Sequence, residues 1–201
     1  MNNKEQIKLA ILTKSNKRRH NDDYGLCVAA IDESGEWIRL VADKEGDSLP
    51  TNTKLDVRQV LCVYGERAPL AYQIENFVLD DFYVINEDFN QYIRRLKQAD
   101  EEGIFGNKAN QVSKKDMTNI DGTLRLIEVK ELAIYWEGLD PKCKACFIYD
   151  GTRYEGMAMT DPNNYTRKGS EAKKIGNAYI VVSLPDQPAY NKFVAAIFPQ
   201  K

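Results

Sequence analysis

Tyr24-Gly25-Leu26-Cys27-Val28-Ala29-Ala30-Ile31-Asp32-Glu33-Ser34-Gly35-Glu36-Trp37-Ile38-Arg39-Leu40-Val41 is the stretch on which the architecture turns. Residues 26–31 are a nearly continuous apolar run, the pattern of a strand covered on both faces. Asp32, Ser34 and Gly35 then supply turn chemistry. Short polar side chains bond to their own backbone, and glycine accepts a left-handed conformation. Beyond the turn the period becomes two. Ile38, Leu40 and Ala42 share one face, while Trp37, Arg39 and Val41 share the other. Just upstream, Lys14, Lys17, Arg18, Arg19 and His20 form a basic loop.

Working outward, the apolar run 7–12 predicts a first strand and 13–23 its connection to the second. Residues 55–64 and 70–79 predict two more strands, linked by 65–69. Five short strands before residue 80, separated by turn signals, predict a small barrel or sandwich. That is the size of an oligonucleotide/oligosaccharide-binding (OB) barrel. The period then changes: Phe89, Tyr92, Ile93 and Leu96 stand at i, i+3, i+4 and i+7, the stripe of an amphipathic helix. Asp88 followed by Gln91 resembles a capping box, and Gly103 is a stop signal.

Residues 103–122 are polar and nearly aperiodic, and predict a linker. A second β-rich half follows. Residues 123–135 predict one long strand or a bent pair, 142–149 another, and Asp150-Gly151 a hairpin turn into 153–159. A polar loop over 161–177 carries Tyr165, Arg167, Lys168, Lys173 and Lys174, and strands over 179–184 and 190–198 close the chain. The expected fold is mainly β, with two small OB-like β-barrels and a bridging α-helix. The expected divisions are 1–85 for the first barrel, 86–122 for helix and linker, and 123–201 for the second barrel.

With 43% hydrophobic and 29% charged residues in 201, the composition is that of an ordinary globular chain. No apolar run approaches the roughly 20 residues that span a bilayer. The N-terminus lacks the long apolar core of a signal peptide, so a cytoplasmic location and no membrane partner are expected. A net charge of −2 argues against a protein that coats nucleic acid by bulk electrostatics; binding would have to use local basic clusters. The four cysteines are expected to be reduced thiols.

The basic loop offers phosphate contacts, because the connection after the first strand of an OB barrel borders its binding face. Trp37 and Arg39 share a strand face and offer stacking with a planar fork of donors. Cys143-Lys144-Ala145-Cys146 is a CxxC motif, but structural zinc needs a second ligand pair, and this motif falls in a strand pattern rather than at a helix start. Asp121, Glu128 and Lys130 loosely match the carboxylates and lysine of metal-dependent nucleases. His20 has no identifiable triad partner, and no glycine-rich phosphate loop is present. No cofactor and no resident metal are indicated.

Several of these pieces together resemble the dual OB-containing domain family of bacterial proteins. Gly25-Leu26-Cys27-Val28-Ala29-Ala30 and Gly35-Glu36-Trp37-Ile38-Arg39-Leu40-Val41 are similar to its Cys-Val/Ile-Ala-Gly and Gly-x-Trp-Ile-Arg strands. Leu55-Asp56-Val57 and then Tyr72-Gln73-Ile74-Glu75-Asn76 resemble its Tyr-Gln-Pro-Glu-Asn signature. Thr160-Asp161-Pro162, Val182-Ser183-Leu184 and the segment from Tyr190 to Ile197 fit the second barrel. Ala30 stands where the family has Gly, and Ile74 where it has Pro.

The resemblance implies two OB-like barrels and a nucleic-acid or nucleotide-binding role. The expected function is a non-enzymatic binding protein for single-stranded nucleic acid or a nucleotide. Lys17, Arg18 and Arg19 would meet phosphates, Trp37 or Tyr72 would stack on bases, and Arg39, Gln73 and Asn76 would hydrogen-bond at the cleft. The alternative is an adaptor or regulator that binds a protein partner. A metal-dependent nuclease ranks third.

Overall fold

The computed structural model describes residues 4–18, 24–71, 73–95, 102–136, 143–161, 163–164, 171–185 and 191–200, leaving aside the side chains of 16–18 and 118–119. The chain divides into two compact units, Met1–Lys97 and Gln98–Lys201.

The first unit contains β1 (Glu5–Arg18), β2 (Tyr24–Asp32), β3 (Trp37–Val41), β4 (Leu49–Pro50), β5 (Val60–Arg67), β6 (Asn76–Ile85) and α1 (Phe89–Arg95). Five of the strands form a ring in the order β1-β5-β6-β3-β2, with β2 returning to β1. Every pair in the ring is antiparallel except β3 with β6. The long β1 closes it. Residues 5–10 pair with β5 and residues 9–18 with β2, with a register break between Ile11 and Thr13. The turn after β2 is held as its sequence predicts: the Asp32 carboxylate accepts from the Ser34 and Glu36 amides, and Gly35 has φ 81°.

Alternate residues fill the ring. Leu9 and Ile11 of β1, Leu26, Val28 and Ala30 of β2, Ile38 and Leu40 of β3, Leu61 and Val63 of β5, and Phe77 of β6 form one core. The face of β3 that Ile38 and Leu40 share is thus the inward one. β5 and β6 approach so closely at their register break that a Cβ on Gly65 would fall on the Val78 carbonyl oxygen. Only glycine fits there.

The second unit contains the 3₁₀ turn Asp116–Asn119 and β7 (Leu124–Trp136), β8 (Cys143–Tyr149), β9 (Thr152–Met159), β10 (Lys173–Ser183) and β11 (Phe193–Pro199). These strands close a barrel in the order β10-β11-β9-β8-β7. Its one parallel pair is β9 with β11. Replacing β1, β2, β3, β5 and β6 by β7, β8, β9, β10 and β11 therefore reproduces both the ring order and the position of the parallel pair. The expected fold class stands: mainly β, two five-strand rings and one short helix. Asp150 and Gly151, with φ 46° and 68°, make the expected tight turn between β8 and β9.

Three segments differ from their expected roles. The strand expected over 70–79 runs instead from Asn76 to Ile85, because Gln73 turns the chain first: its carbonyl accepts from the Leu70 and Asn76 amides. Residues 173–177, expected in a loop, open β10. Residues 102–122, expected as linker, carry buried Ile104, Phe105, Val112 and Met117. The Arg125 guanidinium lies over the Phe105 ring at 4.7 Å, and Lys192 Nζ donates to the carbonyl and side-chain oxygens of Asn107.

The helix α1 lies against β1 and β2 of its own unit. Among the described residues, no helix is long and apolar enough to cross a membrane.

Candidate nucleic-acid interface

The outer face of β2 and β3 is where the two best sequence motifs meet. β3 runs beside the start of β6, with Arg39 opposite Asn76, and the Arg39 amide donates to the Glu75 carbonyl at 2.8 Å. Side-chain contacts follow from this register. Arg39 Nη2 donates to Glu75 Oε1 at 3.3 Å, and Nη1 approaches Cys27 Sγ of β2 at 3.2 Å. Arg39 is only 7% exposed, and Gln73, Glu75 and Asn76 are buried around it. Burial alone would lower the pKa of the Arg39 guanidinium; Cys27 and the Glu75 carboxylate reverse this and raise it. Arg39 is thus a permanent buried cation with a carboxylate partner. Glu75 and Cys27 had no assigned role in the sequence. The signal for Glu75 was an acid inside a motif that otherwise lacks charge.

Gly46 completes the cluster from the loop after β3. The Ala42 amide donates to the Asp47 carbonyl and the Asp47 amide to the Asp43 carboxylate, which curls the loop back. Gly46 adopts φ +85°, and a Cβ placed on it would lie 3.2 Å from Asn76 Nδ2, 3.9 Å from Gln73 Oε1 and 2.9 Å from Leu70 Cδ1. Two carboxamides and one leucine therefore converge on the glycine. Asn76 is 1% exposed, and among the described residues neither its Oδ1 nor its Nδ2 meets a hydrogen-bond partner. A buried amide in that state is costly, on the order of 1–3 kcal/mol, and native proteins rarely keep one without a use.

The expected site residues that the structure describes fall into three groups. Arg39, Gln73 and Asn76 share this cluster. Lys17 and Arg18 lie on the β1–β2 arm, opposite Gly25 and Tyr24, on the strand pair that also holds Cys27 opposite Ser15. Trp37 starts β3 opposite Ile31 and is half-buried. Arg19, His20 and Tyr72 lie outside the described residues, as do Tyr165, Arg167 and Lys168. Ala29, Ile31 and Val41 on the same outer face are buried, so the middle of that face is closed to solvent. What remains accessible beside it is the loop before β6, at Leu70 and Ile74; Tyr24, 60% exposed, opens β2 on the alternation of Leu26 and Val28.

The other sequence candidates are dispersed. Asp121 precedes β7, and its carbonyl accepts from Arg125. Glu128, opposite Tyr179, accepts from Gln200 at 3.0 Å, and Lys130 sits opposite Ile148 on another pairing of the same strand. Cys143 is buried and half-buried Cys146 lies three residues along the same strand; none of the four cysteines is in a disulfide. Among the described residues, no three His, Cys, Asp or Glu side chains gather to hold a metal ion.

No curated protein matches the chain. The dual OB-containing domain model matches residues 7–197, spanning both rings and both motifs of the buried cluster. The chain belongs to the dual OB-containing domain family.

Proposed function

We propose that the protein binds single-stranded nucleic acid or a nucleotide at the rim of its first barrel. One observation carries this reading. The β1–β2 register places Lys17, Arg18 and the exposed Tyr24 on the strand pair whose Cys27 touches the Arg39 cluster. Lys17, Arg18 and Arg19 meet phosphates, and Tyr24, Trp37 or Tyr72 stacks on bases. Arg39 holds the loop before β6 through Glu75, and Gln73 and Asn76 face the base. OB domains commonly use this side of the barrel for oligonucleotides.

The test is binding of short labelled oligonucleotides and free nucleotides to the full chain at low salt. The parent binds, and the K17A/R18A/R19A variant loses at least about ten-fold in affinity. If no probe binds at low salt, the reading fails.

A protein-docking role is favoured by a different observation. Tyr64 and Tyr83 lie exposed on β5 and β6 with ring centroids 6.2 Å apart, near exposed Val84. Exposed tyrosines of this kind anchor protein interfaces. A stoichiometric partner that survives nuclease treatment, and is lost on Y64A/Y83A, is the outcome that selects this role.

A further inference from the structure

We infer that the carboxamides of Gln73 and Asn76 form an adenine-selective site. The inference rests on the nucleotide-binding reading above and names the base that it takes. It begins from Asn76, which is 1% exposed and whose amide has no hydrogen-bond partner on either atom among the described residues. Gln73, 6% exposed, brings Oε1 to within 3.9 Å of the point that lies 3.2 Å from Asn76 Nδ2. A Cβ at that point would already be too close to Leu70 Cδ1, so space beside the amides requires both glycine at residue 46 and movement of Leu70.

A carboxamide presents one acceptor oxygen and one donor nitrogen side by side, whichever way it is turned. Its best match on a base is an exocyclic amine beside a ring-nitrogen acceptor, as in the bidentate pairing of Asn or Gln with adenine. Two carboxamides ask for more. Adenine alone has an amine, N6, flanked on both sides by ring acceptors, N1 and N7. One amide reads the N6/N1 edge and the other the N6/N7 edge, each accepting from one N6 hydrogen. Cytosine offers an acceptor on only one side of its amine. Guanine presents two neighbouring acceptors, O6 and N7, and leaves one amide oxygen without a donor. Thymine and uracil present a keto oxygen with a ring N–H on one side only.

The chemistry around the amides suits a base. Leu70 Cδ1 is 2.9 Å from the same Gly46 point and closes the site, yet Leu70 is 37% exposed on its loop, so a rotamer change opens it. Displaced, it offers apolar surface to the ring. The buried Arg39–Glu75 pair ties β3 to the segment that carries Asn76.

The experiment uses the full chain and two sets of probes: labelled ten-nucleotide dA, dC, dG and dT oligomers, and free AMP, CMP, GMP and UMP. The adenine member binds tightest in at least one set. Preference confined to the oligomers identifies a single strand as the source of the base; preference retained by AMP identifies a free nucleotide. Asn76→Leu removes roughly 10- to 100-fold of the adenine preference. It does not lower the melting temperature, because an apolar group replaces an amide that has no partner. Gln73→Met, a change of similar length, also reduces the preference, and provides the same readout if Asn76→Leu fails to fold. Equal affinity for the four bases overturns the adenine site and leaves the binding reading intact. An adenine preference that both variants keep overturns it in the same way. Failure of every probe to bind removes both.

Discussion

Arg39 and Glu75 show how one residue pair turns two sequence motifs into a single structural feature. Their side chains are 8% and 3% exposed, and they meet at 3.3 Å. A buried ion pair contributes little over a well-packed apolar pair, but losing one partner leaves the other charge uncompensated. Glu75→Ala should therefore lower unfolding stability by about 3–5 kcal/mol, whereas the double change Arg39→Met with Glu75→Leu should lose much less. Denaturant unfolding of the three proteins measures this. A double variant as unstable as Glu75→Ala would show that the pair sets the strand by more than its charge. The same residues explain what the sequence concealed. Arg39 on an exposed-looking face suggested a ligand contact, but its partner lies 36 positions away, in a segment read as strand. Asn76 could be named as a binding residue from its motif. That its amide has no partner follows only from the fold around it.

At the scale of elements, α1 is seven residues long and depends on its contacts with the barrel. Asp88 caps it by accepting from the Asn90 amide, and Arg95 reaches the Glu33 carbonyl. Just before it, Glu87 accepts from Lys8 Nζ at 2.7 Å and from the Tyr92 hydroxyl at 2.8 Å. The hydrogen bond from Lys8, followed by that from Tyr92, holds the Glu87 carboxyl below its ordinary value of 4.5. Because the folded pKa is the lower one, the contribution is complete above the ordinary value and is lost as pH falls through the lowered one. Amides of 89–95 should exchange faster with solvent as pH falls below the ordinary carboxylate range, after correction for intrinsic rates. Glu87→Gln should remove that acid step; if it persists in the variant, another group controls the helix. The helix was legible from its stripe and its cap, as were the strands with clean alternation. β6 was misplaced because its two exposed aspartates interrupt the alternation: Asp81 lies opposite Tyr64, and Asp80 is skipped at the register break before Leu79 pairs with Gly65. Residues 102–122 read as linker because their buried side chains have no period; Phe105 and Asn107 are held by Arg125 and Lys192, far along the chain.

Over the whole molecule, one strand topology occurs twice. In the second barrel Arg153 on β9 is already bound to Glu155 at 2.7 Å and reaches Glu131 at 3.7 Å. In the first, Lys14 is bound to Asp56 at 3.0 Å, and the proposal assigns the phosphates to Lys17, Arg18 and Arg19. With 28 basic and 30 acidic residues the chain as a whole carries −2 and gives a polyanion no long-range attraction. Binding of a single strand must then release only the few counterions displaced by that local set. Each neutralised phosphate contributes roughly −0.7 to the slope of log K against log salt, so three predict a slope of about −2. Anisotropy titrations with a ten-nucleotide probe between 50 and 200 mM salt should give that value, and K17A/R18A/R19A should bring it close to zero. K173A/K174A, on β10 of the second barrel, should leave it unchanged. A slope steeper than about −4 would require cations from outside the β1–β2 arm, and one that K173A/K174A flattens would move the phosphate path to the second barrel.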